Sequence, residues 1–378
     1  MCATGALNNH VETMGSFGQP TINDVARRAN VSNMTVSRVV TGNGYVSAKT
    51  RKRVEAAIEA LGYQPNAVAK SMRTKSTQSI GFILPDLANT AHALTAQTAE
   101  ALLAQQGYRM ILGSTGYSAE REAQFFSSSQ QNTVDGVIAI ITDETQTSIH
   151  DLIRKSRVPI VVLDRDLPFP VDTVYSEDRS SIRDVVHYLA RLGHKRIALM
   201  TCPLKARPGR LRCQAFNEAL EEMGLDPDPS LIKLRHQVSS NGYQAAMELL
   251  KTPRPPSALI VAADQLTFGA LRAIKEMGLS IPKDISLVGS DEGFLSSIVD
   301  PPLTVIWRDM QMVGTHAANM LLARLGGEQQ AGLSATVRSE VILRQSCDLP
   351  PERALRALWA GAAISRNAEK GAIRDWRR

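Results

Sequence analysis

Apolar residues recur at Ile22, Val25, Ala26 and Ala29, the spacing of one helical face, before Asn30-Val31-Ser32 interrupts them with turn and capping chemistry. A second short helix is expected from there, with Ser32 as its N-cap and Val36 and Val39 turned toward the first helix. Asn33, Met34, Thr35, Ser37 and Arg38 are left pointing outward. Two short helices joined by a tight turn, the second polar on its free face, read as a helix-turn-helix. Its outward Asn and Arg are the side chains that pair with adenine and guanine edges in a major groove. A third amphipathic segment is expected to start at the cap Ser47 and to bury Val54, Ala57, Ile58 and Leu61. Its first turns carry Lys49, Arg51, Lys52 and Arg53, where cations oppose the helix dipole. That placement is unhelpful to the helix and is explained by an approaching phosphate.

From Ser79 onward the period changes. SIGFILP, YRMILGS, DGVIAII and PIVVLD read as buried strands separated by helical runs, and a second set follows with RIALMT, ALIVAAD and DISLVG. Strand-helix alternation predicts parallel sheets with right-handed crossovers, and two such sets predict two doubly wound lobes. A ligand then belongs in the crevice at the carboxyl ends of the strands. Residues 1–19 show no periodicity and are expected to be disordered. The stretch from Pro350 is rich in Ala and Arg, carries Trp359 and Trp376, lacks sustained Leu heptads, and reads as a weak helix or a disordered basic tail.

Composition narrows the functional classes. Among the 378 residues no apolar run approaches the roughly 20 needed to span a bilayer, and the first residues lack the basic and apolar regions of a secretory signal, so a cytoplasmic protein is expected. Cys2, Cys202, Cys213 and Cys347 form no CxxC pair, which argues against disulfide scaffolding and zinc; no metal or cofactor is expected. The net charge of +6 is unevenly spread: residues 20–77 hold ten Lys and Arg against three Asp and Glu. A basic N-terminal module on a near-neutral remainder is the charge pattern of nucleic-acid binding. No phosphate loop, nucleophile elbow, metal cluster or GxGxxG motif supports catalysis.

In order and spacing, TINDVARRANVS, TVSRVV, VSAKTR, LGYQPNAVAKSM, GHKRIAL, AADQLTFGALRAIKEMGLSIPKDISLVGSDE and PPLTVI resemble the lactose/galactose repressor family of bacterial transcription factors, from about Pro20 to Cys347. The resemblance implies an α/β fold: an N-terminal three-helix helix-turn-helix headpiece plus hinge helix, then two doubly wound parallel-sheet lobes of the periplasmic-binding-protein-like type. Expected boundaries are an extension at 1–19, the headpiece at 20–63, hinge and linker at 64–77, a core at 78–349 and a tail at 350–378. Within the core, lobe one is expected at 78–174 and 304–333, lobe two at 175–303 and 334–349. The implied DNA contacts are Thr21, Ser32, Asn33, Met34, Thr35, Ser37 and Arg38, with Asn66, Ala69 and the minor-groove wedge Met72 on the hinge helix, where the family usually has Leu. The implied effector contacts are His92, Arg165, Arg212, Asp264, Asp291 and Arg308.

Several departures alter that cleft. The family's Asn-Pro-aromatic-aromatic segment is replaced by Asn89-Thr90-Ala91-His92-Ala93, with His92 the partial substitute for the missing aromatic floor. Ser176-Glu177 stands for a common Asp-Asn pair, and Arg308 stands where Gln is frequent. Two guanidiniums, Arg212 and Arg308, then need either an anionic ligand such as a sugar acid or neutralisation by Asp264 or Asp291. The implied function is effector-controlled transcription regulation, as a repressor, by a homodimer on pseudo-palindromic double-stranded operator DNA, with a sugar or sugar derivative as effector and no membrane partner. The alternatives are a solute-binding protein without a DNA role and an enzyme on the same core.

Overall fold

The computed structural model describes residues 20–64, 76–129, 133–290, 294–330 and 332–351. The chain divides into two units, Met1–Thr77 and Gln78–Arg378. The expected extension at 1–19, the hinge residues Asn66, Ala69 and Met72, Asp291, and the tail with Trp359 and Trp376 lie outside the described residues.

In the first unit α1 (Ile22–Ala29), α2 (Asn33–Thr41) and α3 (Ala48–Leu61) form where the apolar spacing and the caps place them. Ser32 and Ser47 each cap a helix, their hydroxyls accepting the N–H of Thr35 at 3.2 Å and of Thr50 at 3.3 Å. Asn30 ends α1 in the left-handed region, φ 49°, a conformation Asn tolerates better than most residues. Val25, Val36 and Val54 are fully buried between the three helices. Burial of each contributes about 1.5–3 kcal/mol to holding the three helices together.

In the second unit, strands and helices alternate through β1 (Ser79–Leu84), α4 (Thr90–Gln105), β2 (Arg109–Ser114), α5 (Ala119–Ser128), β3 (Gly136–Ala139), α6 (Thr147–Arg154), β4 (Ile160–Leu163) and β5 (Asp172–Glu177). A second series runs α7 (Arg179–Arg191), β6 (Ile197–Thr201), α8 (Arg207–Glu222), β7 (Ile232–Leu234), α9 (Ser239–Leu250), β8 (Ala258–Val261), α10 (Asp264–Glu276), β9 (Ser286–Ser290), α11 (Phe294–Ile298) and β10 (Thr304–Arg308). Then α12 (Met310–Leu325) packs with α4 against β1, β3 and β4, and β11 (Ser334–Ile342) follows. Strand order is β2-β1-β3-β4-β5-β11-β10-β9-β8-β6-β7. β1, β3, β4, β6, β8 and β9 are buried along their whole length, because helices cover both faces of these parallel strands.

β11 joins the two lobes. Its residues Ser334–Arg338 run parallel to β5, and Ser339–Ile342 run antiparallel to β10. β10 itself pairs with β9, so the chain returns to the first lobe after Arg308 rather than at Thr304. The chain thus crosses between lobes beside Glu177, beside Arg308 and within β11.

Candidate functional site

In the headpiece the N-terminal end of α2 is open. Met34 is 65% exposed, Asn33 and Arg38 are exposed, and Thr35 and Ser37 are half-buried. Asn33 is steadied by donating from Nδ2 to Asn23 Oδ1 at 2.6 Å. The aliphatic part of Arg38 lies beside Gly44, whose φ of 92° suits glycine. The hydroxyls of Thr21 and Ser32 serve caps: Thr21 Oγ1 and its own N–H donate to Asp24 at 2.7 and 2.9 Å, holding that carboxyl below its ordinary range. Lys49, Lys52 and Arg53 are exposed. Arg53 donates to the Asn30 carbonyl at 3.2 Å, tying α3 to the turn before α2, a structural contact that the charge pattern did not reveal.

Four of the six predicted effector contacts meet in one cavity of the second unit. His92, Arg165, Arg212 and Arg308 line a space of about 740 Å³, open mouth included, with walls from both lobes. Arg212 is 2% exposed; its guanidinium donates to the Ala262 carbonyl at 2.7 Å and to Asp178 at 3.0 Å. The other Asp178 oxygen lies 3.7 Å from Arg308. Arg165 is held by the carbonyls of Ile141 and Asp164.

Two expectations change. Asp264 lines a smaller neighbouring pocket, where its carboxylate accepts the N–H of Thr90 at 2.9 Å and of Gln265 at 2.6 Å. It starts α10 and clasps the start of α4 across the lobes. Asp178 is a counter-charge that Arg212 and Arg308 share, so two cations alone no longer call for an anionic ligand. Asp178 stands just past β5 at a lobe crossing, between a helix of the second lobe and the end of β10; no local pattern announces that meeting.

The aromatic surface also differs from expectation. Tyr117, in a turn after β2 with φ 63°, and His236, after β7, face each other across the cleft with ring centroids 4.6 Å apart. Both line the cavity. Burial, with a contribution from Asp86, raises the Tyr117 hydroxyl above its ordinary value, and burial next to Lys205 lowers His236. The Tyr117 hydroxyl donates to the Gln237 carbonyl at 3.3 Å, and Asn89 Nδ2 donates to Gln237 Oε1 at 2.8 Å. These residues were missed because turn residues carry no periodicity; the Gly116-Tyr117 turn was the one available signal.

Among the described residues no group of His, Cys, Asp and Glu is placed to hold a metal ion, and no helix is long and apolar enough to cross a membrane. Residues 21–66 match the family model for bacterial regulatory proteins of the lacI family, and residues 186–347 match that for a periplasmic binding protein-like domain. The HTH-type transcriptional repressor PurR of Escherichia coli is 32% identical over 348 residues, covering 89% of this chain and 99% of its own. The solved lac repressor dimer bound to operator and the anti-inducer ONPF is 30% identical with a TM-score of 0.75, covering 88% of this chain and 100% of its own. The transcriptional regulator CelR–cellobiose complex is 27% identical with a TM-score of 0.66, covering 86% and 99%. The chain belongs to the lacI family of bacterial regulatory proteins. It is a DNA-binding transcription regulator with an effector-binding core.

Proposed function

We propose that this regulator is a cytoplasmic repressor without enzymatic activity, acting as a homodimer on a pseudo-palindromic operator released or engaged according to a small polar effector in the inter-lobe cavity. The observation that carries the reading is the presence in one chain of an outward-facing α2 and of a buried polar cavity built from both lobes. Asn33, Met34 and Arg38 read base edges, and the cations of α3 contact phosphate. Asn66, Ala69 and Met72 form the hinge contact, with Met72 as a wedge in the minor groove. His92, Arg165, Arg212 and Arg308 supply donors to the effector, and the Tyr117–His236 pair, its rings tilted 39° to each other, adds aromatic surface to the cavity wall. With Asp178 shared between the two guanidiniums, a neutral sugar or sugar derivative fits as well as its acid. A gel shift on the DNA upstream of the chain's own coding region tests the first half. A retarded band that survives competitor DNA supports the reading, and equal binding to scrambled duplex contradicts it. Thermal shift against a panel of sugars and sugar acids tests the second half.

A further inference from the structure

One flank of the cavity is closed by charge rather than by the aromatic pair. Thr142 and Pro203, Ala206 and Pro208 line the cavity from opposite lobes. The residues interleaved with them carry an ionic cluster. Glu144, whose side chain is 3% exposed, pairs through one oxygen with Arg210. Its other oxygen accepts the backbone N–H of Arg207 at 3.0 Å and of Asp166 at 3.1 Å. The Glu144 backbone N–H donates to the Lys205 carbonyl at 3.0 Å. Asp143 lies 3.0 Å from the Lys205 ammonium, and Asp166 reaches Arg207 at 3.2 Å and Arg210 at 2.9 Å.

The lobes divide this cluster by sign. Asp143, Glu144 and Asp166 follow β3 and β4 of the first lobe; Lys205, Arg207 and Arg210 belong to the loop and first turn of α8 in the second. A carboxylate at the N-terminus of α8 also meets the positive end of that helix. Cations in the first turn are otherwise badly placed there, and the opposite lobe supplies their partners. The bonds on the other flank include neutral pairs and a carboxylate–amide bond: Asn89 and Tyr117 with Gln237, Gln265 with Ala88, and Thr90 with Asp264.

We propose that the turn at Asp143-Glu144 and the segment Lys205–Arg210 form an ionic gate over the cavity, which opens by local loss of this pairing while the opposite flank stays closed. The gate rests on the reading of the cavity as the effector site, but its opening is measurable without any effector. Salt screens the exposed members, Lys205, Arg210 and Asp166, and weakens the grip on the buried Glu144. Two backbone amides, those of Glu144 and Arg207, are bonded across the gate and report on it directly.

Hydrogen exchange of the full chain, followed by mass spectrometry in 0.05 M and 1 M NaCl, separates the possibilities. Peptides holding Glu144 and Arg207 should exchange about threefold faster at high salt, and about tenfold faster in Glu144→Gln, which keeps the shape and loses the charge. A peptide holding Thr90 should not change. The salt series on the unaltered chain stands whether or not the variant folds. Exchange that ignores both salt and Glu144→Gln overturns the gate. Equal acceleration on both flanks overturns it too, in favour of whole-lobe separation. Either result leaves the effector reading to the ligand panel.

Discussion

Asp178 shows what a single side chain decides in this molecule. It is 2% exposed and shared between two buried guanidiniums, one on α8 and one at the end of β10. Removing its charge leaves cations in a site with little water, and breaking a buried pair in this way costs about 3–5 kcal/mol. Asp178→Asn should therefore lower the unfolding free energy of the core by that amount, read as a lower urea midpoint at an unchanged slope, whereas Glu177→Gln, at a half-buried neighbour, should change it little. A core unaffected by Asp178→Asn would show that the pair is not a structural charge. The residue scale is also where sequence reading was weakest. Arg165 and Arg212 could be placed on one cavity by matching family positions, and His92 and Arg308 as departures from the family pattern at such positions. Asp178, Tyr117 and His236 could not be, since their roles arise from segments far apart in the chain, and Arg53 was legible only as a charge.

At the scale of elements most of the architecture was legible. Ser32 and Ser47 cap as their spacing predicts, and the apolar runs become fully buried strands with one exception: YRMILGS, expected to be buried, forms β2 at the edge of the sheet beside β1 alone, where Ile111 and Leu112 are 46% and 47% exposed. β5 and β11 were harder: DTVYSE and SATVRSEVI mix charges and hydroxyls, β5 is largely buried in spite of that composition, and β11 is buried only at Val337 and Ser339. Helix packing uses glycine in a way no period reveals. At Gly269 of α10 an added Cβ would lie 2.1 Å from the Ser239 carbonyl, and at Gly242 of α9 2.3 Å from the Leu266 carbonyl. Both obstacles are backbone, so Gly269→Ala should force α9 and α10 apart and cost about 1–3 kcal/mol or more, read as a lower melting temperature. Gly224→Ala, with nothing within 4 Å but φ 67°, should cost about 1 kcal/mol or less.

His194 links several of these elements at once. It sits before β6 and bonds Ser257 ahead of β8, Ser286 at the start of β9, and the Asp348 carbonyl. Burial holds its pKa below the ordinary value. The unfolded chain therefore takes up a proton that the folded core refuses, so stability is level above about pH 6.5 and declines as the pH falls below it. Urea midpoints should drop between pH 7.5 and 5.5, with a shallower drop in His194→Gln. An identical drop in that variant would assign the pH dependence to another group, His236 first.

At the scale of the whole molecule, the cavity lies at the lobe crossings of the core. Asp178 and Arg308 stand at two of the three lobe crossings, and Ser339 on β11, at the third, donates to the Glu177 carbonyl and lies 2.6 Å from Ser181. A ligand that contacts Arg308 or Arg212 thus acts on the segments that would have to move if the lobes change their angle, the usual means by which a two-lobed core responds to its ligand. Family membership gives the class of activity, and the charge concentrated in residues 20–77 gives its partner. The central proposal is that α2 reads sequence through Asn33 and Met34. Selection from a pool of randomised duplexes tests this directly. The chain should enrich one pseudo-palindromic motif, and replacing Asn33 and Met34 together should change the bases enriched, at about 1–3 kcal/mol per altered pair. Recovery of the same motif by the double variant, or of no motif by the unaltered chain, would contradict it.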